Sequence, residues 1–430
     1  MTHNFIVNMT DGAFFGFGLG IASYVTVIPL FLATLTESTV LIGLISAMHE
    51  IGWYLPQLLT AEKVAQLRRY KGMALLMTLN ERVPFYLMAV LALLAPTIGR
   101  GWALLFMFLL VVWQAMGGGL TATAWQSMIT KIMPMSLRGT FYGLQSSAAN
   151  LLGSGGAVLA GVILKGVEAP TNFAICFAVC GFAMSISWGF LAWTREPEGE
   201  ATRAHAEKRS SAQVLSNMKR IIVEDANFRW FIVARMLAIF GGLGLYFYAI
   251  FATRRFGVDA EQVGLMTGVL MLATVIANPI LGWAGDRTSH RVMYAIAILL
   301  AGASAGVAVI ATSPAWMYVG FALLGAAKAG LWTIPLPLTV QFGRESDRSY
   351  YIGLANTLIA PAAIIAPIIG GALADGANFG AAFTVALIAG IIGAAIMLFV
   401  VREPRSIVYE EISEPMLSPS ATVTALPCAD

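Results

Sequence analysis

Charged residues inside long apolar runs are the positions of this sequence where chemistry is easiest to recognise. In the first hundred residues these are Asp11, Glu50, Glu81 and Arg82. An ionised side chain in hydrocarbon is costly unless it is paired or hydrated, so each group is a candidate for binding ions or carrying protons. We therefore predict a proton-coupling role for these residues.

Approximate depths place two of these groups at the same level. At about 1.5 Å per residue, Glu50 lies roughly 16 Å and Arg82 roughly 15 Å from the same end of neighbouring runs. Glu50 or His49 can therefore pair with Arg82, whereas Glu81, about 100° from Arg82 around a helix, is expected to lack a full partner. Asp11 also fits a helix-start residue in contact with water. A structural ion pair and a proton-carrying carboxylate both remain open.

Membrane-spanning helices are the elements that must position these groups. The chain has 430 residues, of which 58% are hydrophobic and 11% charged, and its mean hydropathy is +0.77. These values are typical of integral membrane proteins. Twelve runs, numbered here as spans 1 to 12, can cross a bilayer of about 30 Å: 8–34, 39–61, 72–95, 101–131, 139–164, 171–193, 229–253, 262–285, 292–312, 315–341, 349–373 and 379–401.

The basic residues indicate the orientation of the chain. With both ends placed inside, nineteen of the 26 Lys and Arg residues fall on the cytoplasmic side, as the positive-inside rule requires. We predict an integral protein of a bacterial inner (plasma) membrane with both termini in the cytoplasm. The net charge is only +3 and the basic residues are dispersed among loops, so no nucleic-acid surface is indicated.

A polar stretch divides the chain into two halves. Six spans precede residues 194–228 and six follow them. We predict a first six-helix bundle over 1–193, a cytoplasmic linker over 194–228 with a short helix at 212–223, and a second bundle over 229–405. The Pro-containing tail 406–430 is typical of disorder.

Two motifs indicate how the halves are arranged. Arg138-Gly-Thr-Phe-Tyr-Gly143-Leu144 recurs as Arg348-Ser-Tyr-Tyr-Ile-Gly353-Leu354, and the shared orientation fits two bundles related by an axis along the membrane normal. The loop that follows span 8 reads Gly282-Trp-Ala-Gly-Asp286-Arg287-Thr-Ser-His-Arg291. Its Gly lets two helices approach closely, its Asp favours the positive end of the next helix, and its Arg residues stay in the cytosol.

The loop pattern G-x-x-x-D-R-x-x-x-R and the repeat resemble the major facilitator superfamily. The resemblance implies an all-α integral membrane fold of twelve transmembrane helices, arranged as two six-helix bundles with a parallel pseudo-two-fold repeat. The second-half loop is then expected to act as a conformational latch through Gly282, Asp286, Arg287 and Arg291. The equivalent first-half loop, Leu59–Arg69, lacks the Gly and Asp of the pattern, so we expect an intact latch only in the second half.

In this family spans 1, 4, 7 and 10 line a central cavity. The resemblance therefore points to a set of substrate-binding residues: Tyr24, Gln114, Arg235, Tyr246, Lys328 and Trp332. Lys328 is the strongest candidate, because it lies near the bilayer midplane among small residues with Trp332 one turn away. Together Lys328 and Arg235 suggest that the substrate carries an anionic or zwitterionic group.

The resemblance implies secondary transport of a small solute by alternating access, with protons moving through Glu50 or Glu81. Export is favoured because Ala366-Pro367-Ile-Ile-Gly370-Gly371 in span 11 resembles an antiporter element of the family. The alternatives are an uptake symporter for an anionic metabolite and a non-transporting membrane receptor or assembly scaffold. No metal-ligand spacing, Walker A sequence or nucleophile setting occurs, so we expect no metal, no cofactor and no enzyme activity. The expected partners are a solute, protons and the lipid bilayer.

Overall fold

Helices make up most of the part of the chain that the computed structural model describes. That part comprises residues 1–24, 26–38, 41, 48–49, 52–54, 56–198, 211–343, 347–376 and 379–404. Within these residues there is no strand, because helices satisfy their backbone hydrogen bonds internally, as a lipid environment demands. The described helices fit twelve spans in two six-helix bundles, which confirms the predicted fold class.

Spans 1 and 3 of the first half each consist of two helices separated by a short break. Their bounds are Thr2–Ile21 and Val27–Ala33 (span 1), Gln57–Ala65 (span 2), Lys71–Met77 and Leu79–Ile98 (span 3), Arg100–Ile132 (span 4), Arg138–Gly166 (span 5) and Thr171–Ala192 (span 6). Only the last part of span 2 is a described helix; its earlier residues are described singly or in short pieces.

The second half repeats this plan. Its helices are Ala226–Gly241 and Gly244–Phe256 (span 7), Ala260–Arg287 (span 8), His290–Ile310 (span 9), Pro314–Thr333 and Pro335–Thr339 (span 10), Arg348–Thr357 and Ala360–Gly376 (span 11), and Phe379–Ala395 with the π-helical turn Ile396–Val400 (span 12). Span 10 breaks before Pro335, whose ring lacks a backbone N–H. In the described part of the chain, nine helices are long and apolar enough to cross a membrane.

Span 1 differs most from its prediction. Its helix begins at Thr2 rather than near residue 8 and ends at Ile21. Polar contacts allow this earlier start, because Asn8 donates to Thr194 Oγ1 (3.0 Å) and Asn4 Nδ2 donates to the Arg195 carbonyl (2.8 Å). Asp11 therefore lies about 14 Å inside the helix instead of at its beginning.

Each half has its own apolar core. Phe31, Phe85 and Phe177 are buried in the first half, and Tyr248 and Phe383 in the second. A helix at Ser211–Glu224 occupies the place of the short helix predicted in the linker. Its Met218 and Ile221 pack against Phe228 of the second half. Linker residues 199–210 and the predicted tail lie outside the described residues.

One end of the bundle is called the basic end here. It carries Lys71, Arg138, Arg195, Arg287 and Arg402. The two termini of the described chain, at Met1 and near 404, lie at this end with the loop between spans 8 and 9. The contacts between the halves concentrate at the same end.

Candidate functional site: the interface between the two halves

Spans 5 and 8 make the closest contact between the halves. Gly139 and Gly282 face each other, and a Cβ on either one would collide with the carbonyl oxygen of the other. A Cβ on Gly143 would collide in the same way with the carbonyl oxygen of Asn278. We call this line of contacts the span 5–8 seam. Gly282 thus allows the close approach of two helices that its place in the loop motif suggests.

The carboxylate of Asp286 holds the seam at the basic end. It accepts hydrogen bonds from the backbone N–H groups of Gly139 (2.8 Å) and Thr140 (2.6 Å), in the first turn of span 5. The partial positive charge of a helix N-terminus favours an anion at this position. Our expectation that Asp286 serves the next helix is wrong, because Ser289 caps span 9 through the N–H of Val292. Asp286 instead reaches the other half of the molecule.

His290 is a candidate functional residue that sequence reasoning missed. It is fully buried, with Nε2 3.3 Å from Asp286 Oδ1 and Nδ1 3.1 Å from Gln341 Nε2. The four-residue spacing of Asp286 and His290 was the available signal. A Cβ on Gly139 would also collide with both side chains, so His290 fixes the Asp286 carboxylate against span 5.

The two arginines of the loop motif remain within the second half. The Arg287 guanidinium lies 4.1 Å from the ring centre of Trp283. Arg291 donates to the carbonyl of Val401 (2.6 Å) and lies 3.9 Å from Glu403. Of the four predicted latch residues, the structure places Gly282 and Asp286 at the interface.

Spans 2 and 11 make the second contact between the halves. Asn356 Nδ2 donates to Gln57 Oε1 (2.6 Å), and Thr357 Oγ1 donates to the carbonyl of Tyr54 (3.1 Å). A Cβ on Gly353 would lie 3.2 Å from the Ala61 Cβ, which is tight but not a collision. We call these contacts the span 2–11 seam.

Arg235 supports the span 2–11 seam. Its guanidinium donates to the carbonyl of Ala355 (2.8 Å) and to Asn356 Oδ1 (3.2 Å), and it lies 5.7 Å from the ring centre of Phe231. These bonds orient the Asn356 amide toward Gln57. Arg235 lines neither of the two cavities described below, so its predicted contact with a substrate has no geometric support here.

The pseudo-symmetry identifies what the first half has lost. Gln57 contacts Gly353 as Asn278 contacts Gly143, and these two glycines are equivalent in the internal repeat. The residues four positions after Gln57 and Asn278 are Ala61 and Gly282, and the residues eight positions after them are Ala65 and Asp286. Two alanines thus occupy the first-half positions of the latch Gly and Asp.

The span 5–8 seam opens toward the end opposite the basic end. Gly161 of span 5 and Gly264 and Gly268 of span 8 continue the contacting faces at helical spacing. A Cβ on any of the three would meet no described atom within 4 Å. Spans 5 and 8 therefore touch at the basic end and diverge away from it, as far as their described residues show.

A buried polar cluster lies inside the first half. Arg82 donates to the carbonyl of Met184 (2.8 Å) and to Ser187 Oγ (3.0 Å). Ser187 Oγ in turn donates to Asp11 Oδ1 (2.6 Å). The Arg82 guanidinium also lies 3.7 Å from Glu81 Oε2. Arg82 is therefore connected to Asp11 of span 1 through Ser187 of span 6, and it lies beside Glu81 on span 3.

Three expectations about this cluster need correction. Arg82 does not pair with His49 but donates to span 6 and lies 3.7 Å from Glu81 Oε2, and Asp11 is buried rather than water-facing. Glu81 does share Arg82, because Thr78 precedes the two residues by three and four positions and bonds both side chains. Glu50, the other predicted partner, lies outside the described residues.

His49, Tyr24 and Gln114 form a separate contact among spans 1, 2 and 4. The His49 and Tyr24 rings stack with centres 3.8 Å apart, and the Tyr24 hydroxyl donates to Gln114 Oε1. Tyr24 and Gln114 are both buried. The side chain of Tyr246, the remaining aromatic candidate, lies outside the described residues.

Two cavities border Trp332 of span 10. The acidic cavity, of about 170 Å³, is bounded by Asp11, Phe15, Trp53, Glu81, Arg82 and Trp332, among other residues of both halves. The lysine cavity, of about 150 Å³, is lined by Asn150, Thr274, Asn278, Lys328, Ala329 and Trp332. The rings of Trp53 and Trp332 have centres 6.1 Å apart, so this pair joins the halves beside the acidic cavity.

Two glutamates that follow the last span of each half stabilise the halves internally. Glu196 accepts from the backbone N–H groups of Tyr70 (2.9 Å) and Lys71 (2.8 Å) at the start of span 3. Glu403 accepts from Ser289 at the start of span 9. Sequence reasoning missed both, although the repeat of Arg-Glu-Pro at 195–197 and 402–404 was a signal.

Fold and interface together define a membrane protein built of two pseudo-symmetric helical bundles. The family model of the Major Facilitator Superfamily matches residues 237–424. Together with similar solved structures, this match confirms the resemblance to that superfamily.

Two solved structures show the fold over nearly the whole chain. The fucose:proton symporter FucP of E. coli is 16% identical, with a TM-score of 0.72 and coverage of 92% of this chain and 99% of that one. A bacterial homologue of the iron transporter ferroportin is 13% identical, with a TM-score of 0.74 and coverage of 92% and 98%.

Curated relatives match over a shorter stretch. The efflux pump bfoC of Aspergillus brasiliensis is 24% identical over 169 residues, which are 39% of this chain and 30% of that protein. The matches thus span less than a third of the relatives' length. These relatives are fungal, so the expectation of a bacterial membrane has no support from them.

Proposed function

We propose that the protein is a secondary active transporter that moves a small solute by alternating access. The observation that carries this proposal is the interface: both seams join the halves at the basic end, whereas the span 5–8 seam opens beyond Ser154 and Met271. Two cavities lie between the halves above the closed end. An interface that is closed at one end by a few glycine contacts and hydrogen bonds suits rocking of rigid halves against each other.

The side of the membrane follows from the basic residues. If the basic end faces the cytoplasm, as the positive-inside rule predicts, the structure is closed to the cytoplasm. The ferroportin homologue was solved in an outward-facing state and FucP in an outward conformation. Their similar overall arrangement supports the same assignment here.

Proton coupling is proposed for the buried cluster of Asp11, Glu81 and Arg82. Two carboxylates share one guanidinium there, so a proton on one acid would balance the charge in a medium that disfavours net charge. Opening of the halves would change the access of water to the acidic cavity. Glu50, as a further acid of span 2, remains part of this proposal.

Export is favoured over uptake. Several curated relatives are named as efflux pumps, and proton entry through the cluster would drive a solute outward by exchange. Trp332 and Lys328 are the proposed substrate contacts that line a cavity, and Tyr24, Gln114, Arg235 and Tyr246 stay predictions. The loop residues Gly282 and Asp286 act as the latch, supported by Arg287 and Arg291 within their own half.

Purified protein in liposomes with an imposed proton gradient tests this function. We expect solute movement coupled to proton flux, measured with an internal pH dye and a panel of labelled solutes. Glu81→Gln should abolish proton flux, whereas Glu168→Gln, a matched change in the exposed loop after span 5, should leave it unchanged. Absence of proton and solute movement across a broad panel would favour a receptor or scaffold.

The lysine cavity favours one alternative, uptake of an anionic metabolite. Lys328 shares this cavity with the amide side chains of Asn150 and Asn278, which are suitable donors to a carboxylate. In that case Lys328→Ala should lower anion uptake at least tenfold, and Lys165→Ala in an exposed position should not. Unchanged uptake of every anion in the Lys328→Ala protein would exclude this alternative.

A further inference from the structure

The acidic cavity combines two features that point to the class of its ligand. Spans 1 and 3 contribute the carboxylates of Asp11 and Glu81 to its wall, and spans 2, 4 and 10 contribute the indole rings of Trp53, Trp125 and Trp332. Phe15 adds a further ring from span 1. Carboxylates attract a cation, and aromatic faces attract both a cation and an apolar body.

The charged groups around this cavity leave an excess of acid. From span 1 the cluster is faced by Asp11 and Tyr24, from span 3 by Glu81 and Arg82, and from span 6 by Cys180. The described lining residues from spans 2, 4, 5 and 10 are uncharged. With both acids ionised, the single guanidinium leaves one negative charge uncompensated. A buried site in that state requires a proton or a cationic ligand.

Hydrogen bonds decide which carboxylate oxygen is available. Arg82 is directed toward span 6, and Asp11 Oδ1 is engaged by Ser187. Glu81 Oε2 is held by Thr78. In the described part of the chain no donor bonds Glu81 Oε1, although the side chain is only about 4% exposed. Among the described residues this oxygen therefore has no hydrogen-bond donor, and it belongs to a side chain that lines the cavity.

Gly118 locates this oxygen relative to the rings. A Cβ on Gly118 would lie 2.8 Å from Glu81 Oε1 and 2.6 Å from Cε3 of Trp53. The carboxylate and the indole therefore border the same space above the bare backbone of span 4. A side chain at position 118 would displace the indole or the carboxylate.

We propose that the acidic cavity binds a compact organic cation with an aromatic or apolar body, its charge beside Glu81 and its body against Trp53 and Trp332. The cation takes the place of the proton that otherwise balances Asp11, Glu81 and Arg82. This inference rests on the proposed function and names its substrate class. Gly118 is then a positioning residue, because its missing side chain lets the Trp53 ring and the Glu81 carboxylate lie side by side against span 4.

The test compares ligands of one shape and different charge. Benzyltrimethylammonium, its neutral isostere neopentylbenzene and the anion phenylacetate are titrated into the purified full-length protein, and binding is followed by tryptophan fluorescence and calorimetry. We expect the cation to bind at least tenfold more tightly than the isostere. Calorimetry in buffers of different ionisation enthalpy should show proton release on binding.

Two variants separate charge from shape. Glu81→Gln should reduce cation affinity at least tenfold and abolish proton release, while affinity for the isostere stays within about twofold. Gly118→Ala keeps every charge and should weaken the cation and the isostere together. Size-exclusion profiles and thermal unfolding check that both variants are folded, with Glu168→Gln as the matched control.

The outcomes distinguish this inference from the proposed function. Equal binding of cation and isostere, or unchanged cation binding in both variants, would overturn the inference. Proton-driven movement of another solute without cation binding would overturn the inference and leave transport standing. Cation binding without movement in liposomes would support the inference and contradict transport.

Discussion

The two seams close the same end of the molecule through different chemistry. At the span 5–8 seam, Gly139 meets Gly282 and the Asp286 carboxylate binds a helix N-terminus. At the span 2–11 seam the corresponding closure is a neutral amide pair, Gln57 with Asn356. A carboxylate bonded to a helix N-terminus contributes up to about 2 kcal/mol, against about 1 kcal/mol for a neutral hydrogen bond. The closed state therefore depends more on the span 5–8 seam.

Contacts within the halves do not show this difference. Glu196 and Glu403 follow the sixth and twelfth spans, and each bonds the start of the third helix of its half. The internal repeat is thus retained where each half is held together and has diverged where the halves meet. Divergence at the interface changes the balance between open and closed states without weakening either bundle.

The largest effect is expected from a methyl group in the tighter seam. In Gly143→Ala the Cβ would collide with the Asn278 carbonyl, whereas in the equivalent Gly353→Ala its nearest neighbour would be 3.2 Å away. Overpacking of this kind costs about 1–3 kcal/mol. We expect Gly143→Ala to populate the open basic end, measured as the distance between spin labels at Met135 and Thr288, both exposed.

Gly353→Ala is the matched control for this measurement. It should leave the distance distribution close to that of the parent, because the neighbouring Ala61 can shift by a few tenths of an ångström. Equal opening in the two variants would show that the two seams are packed equally tightly, and would contradict the tighter packing of the span 5–8 seam.

Loss of a contact within one half should lower stability and leave the seams unchanged. Glu196→Gln removes a charge that binds two backbone N–H groups and lies 3.1 Å from Lys131 Nζ. We expect about 1–2 kcal/mol of lost stability, seen as a lower unfolding temperature in detergent. The label distance between Met135 and Thr288 should not change. An increase in that distance would mean that this contact also controls opening.

The smallest expected effect is a gain in the stability of the closed state. Ala65→Asp places a carboxylate at the first-half position equivalent to Asp286, near the start of span 11. If the pseudo-symmetry extends to the backbone N–H groups of Ser349 and Tyr350, the closed state should gain about 1 kcal/mol. A slower transport cycle and fewer open molecules would show this, and Ala65→Asn is the uncharged control. Identical behaviour of the two variants would indicate that no second helix N-terminus is in reach.

Much of the fold could be predicted from the sequence. Hydropathy located the spans, and the repeat of Arg138–Leu144 at Arg348–Leu354 gave the relation between the halves. The start of span 1 was missed, because Asn4 and Asn8 read as polar flanking residues until Thr194 and Arg195 are seen to bond them. A partner so distant in the chain leaves no local signal.

The interface was predictable only in part. Gly282 and Asp286 were recognised, but the helix that receives the carboxylate depends on how two distant segments pack. Glu81 was expected to lack a full partner, because adjacent residues diverge around a helix. Thr78 overrides this rule by bonding both side chains from the preceding turn. Long side chains and a bridging hydroxyl are details of geometry that spacing alone does not contain.

One measurement tests the unequal seams most directly. Double electron–electron resonance is recorded between labels at Met135 and Thr288 in Asp286→Asn and in Asn356→Leu, with the unsubstituted labelled protein as reference. The lost interactions, of about 2 and 1 kcal/mol, correspond to rises in the open population of about thirtyfold and fivefold. We expect the larger rise for Asp286→Asn. An equal or larger rise for Asn356→Leu would contradict this expectation.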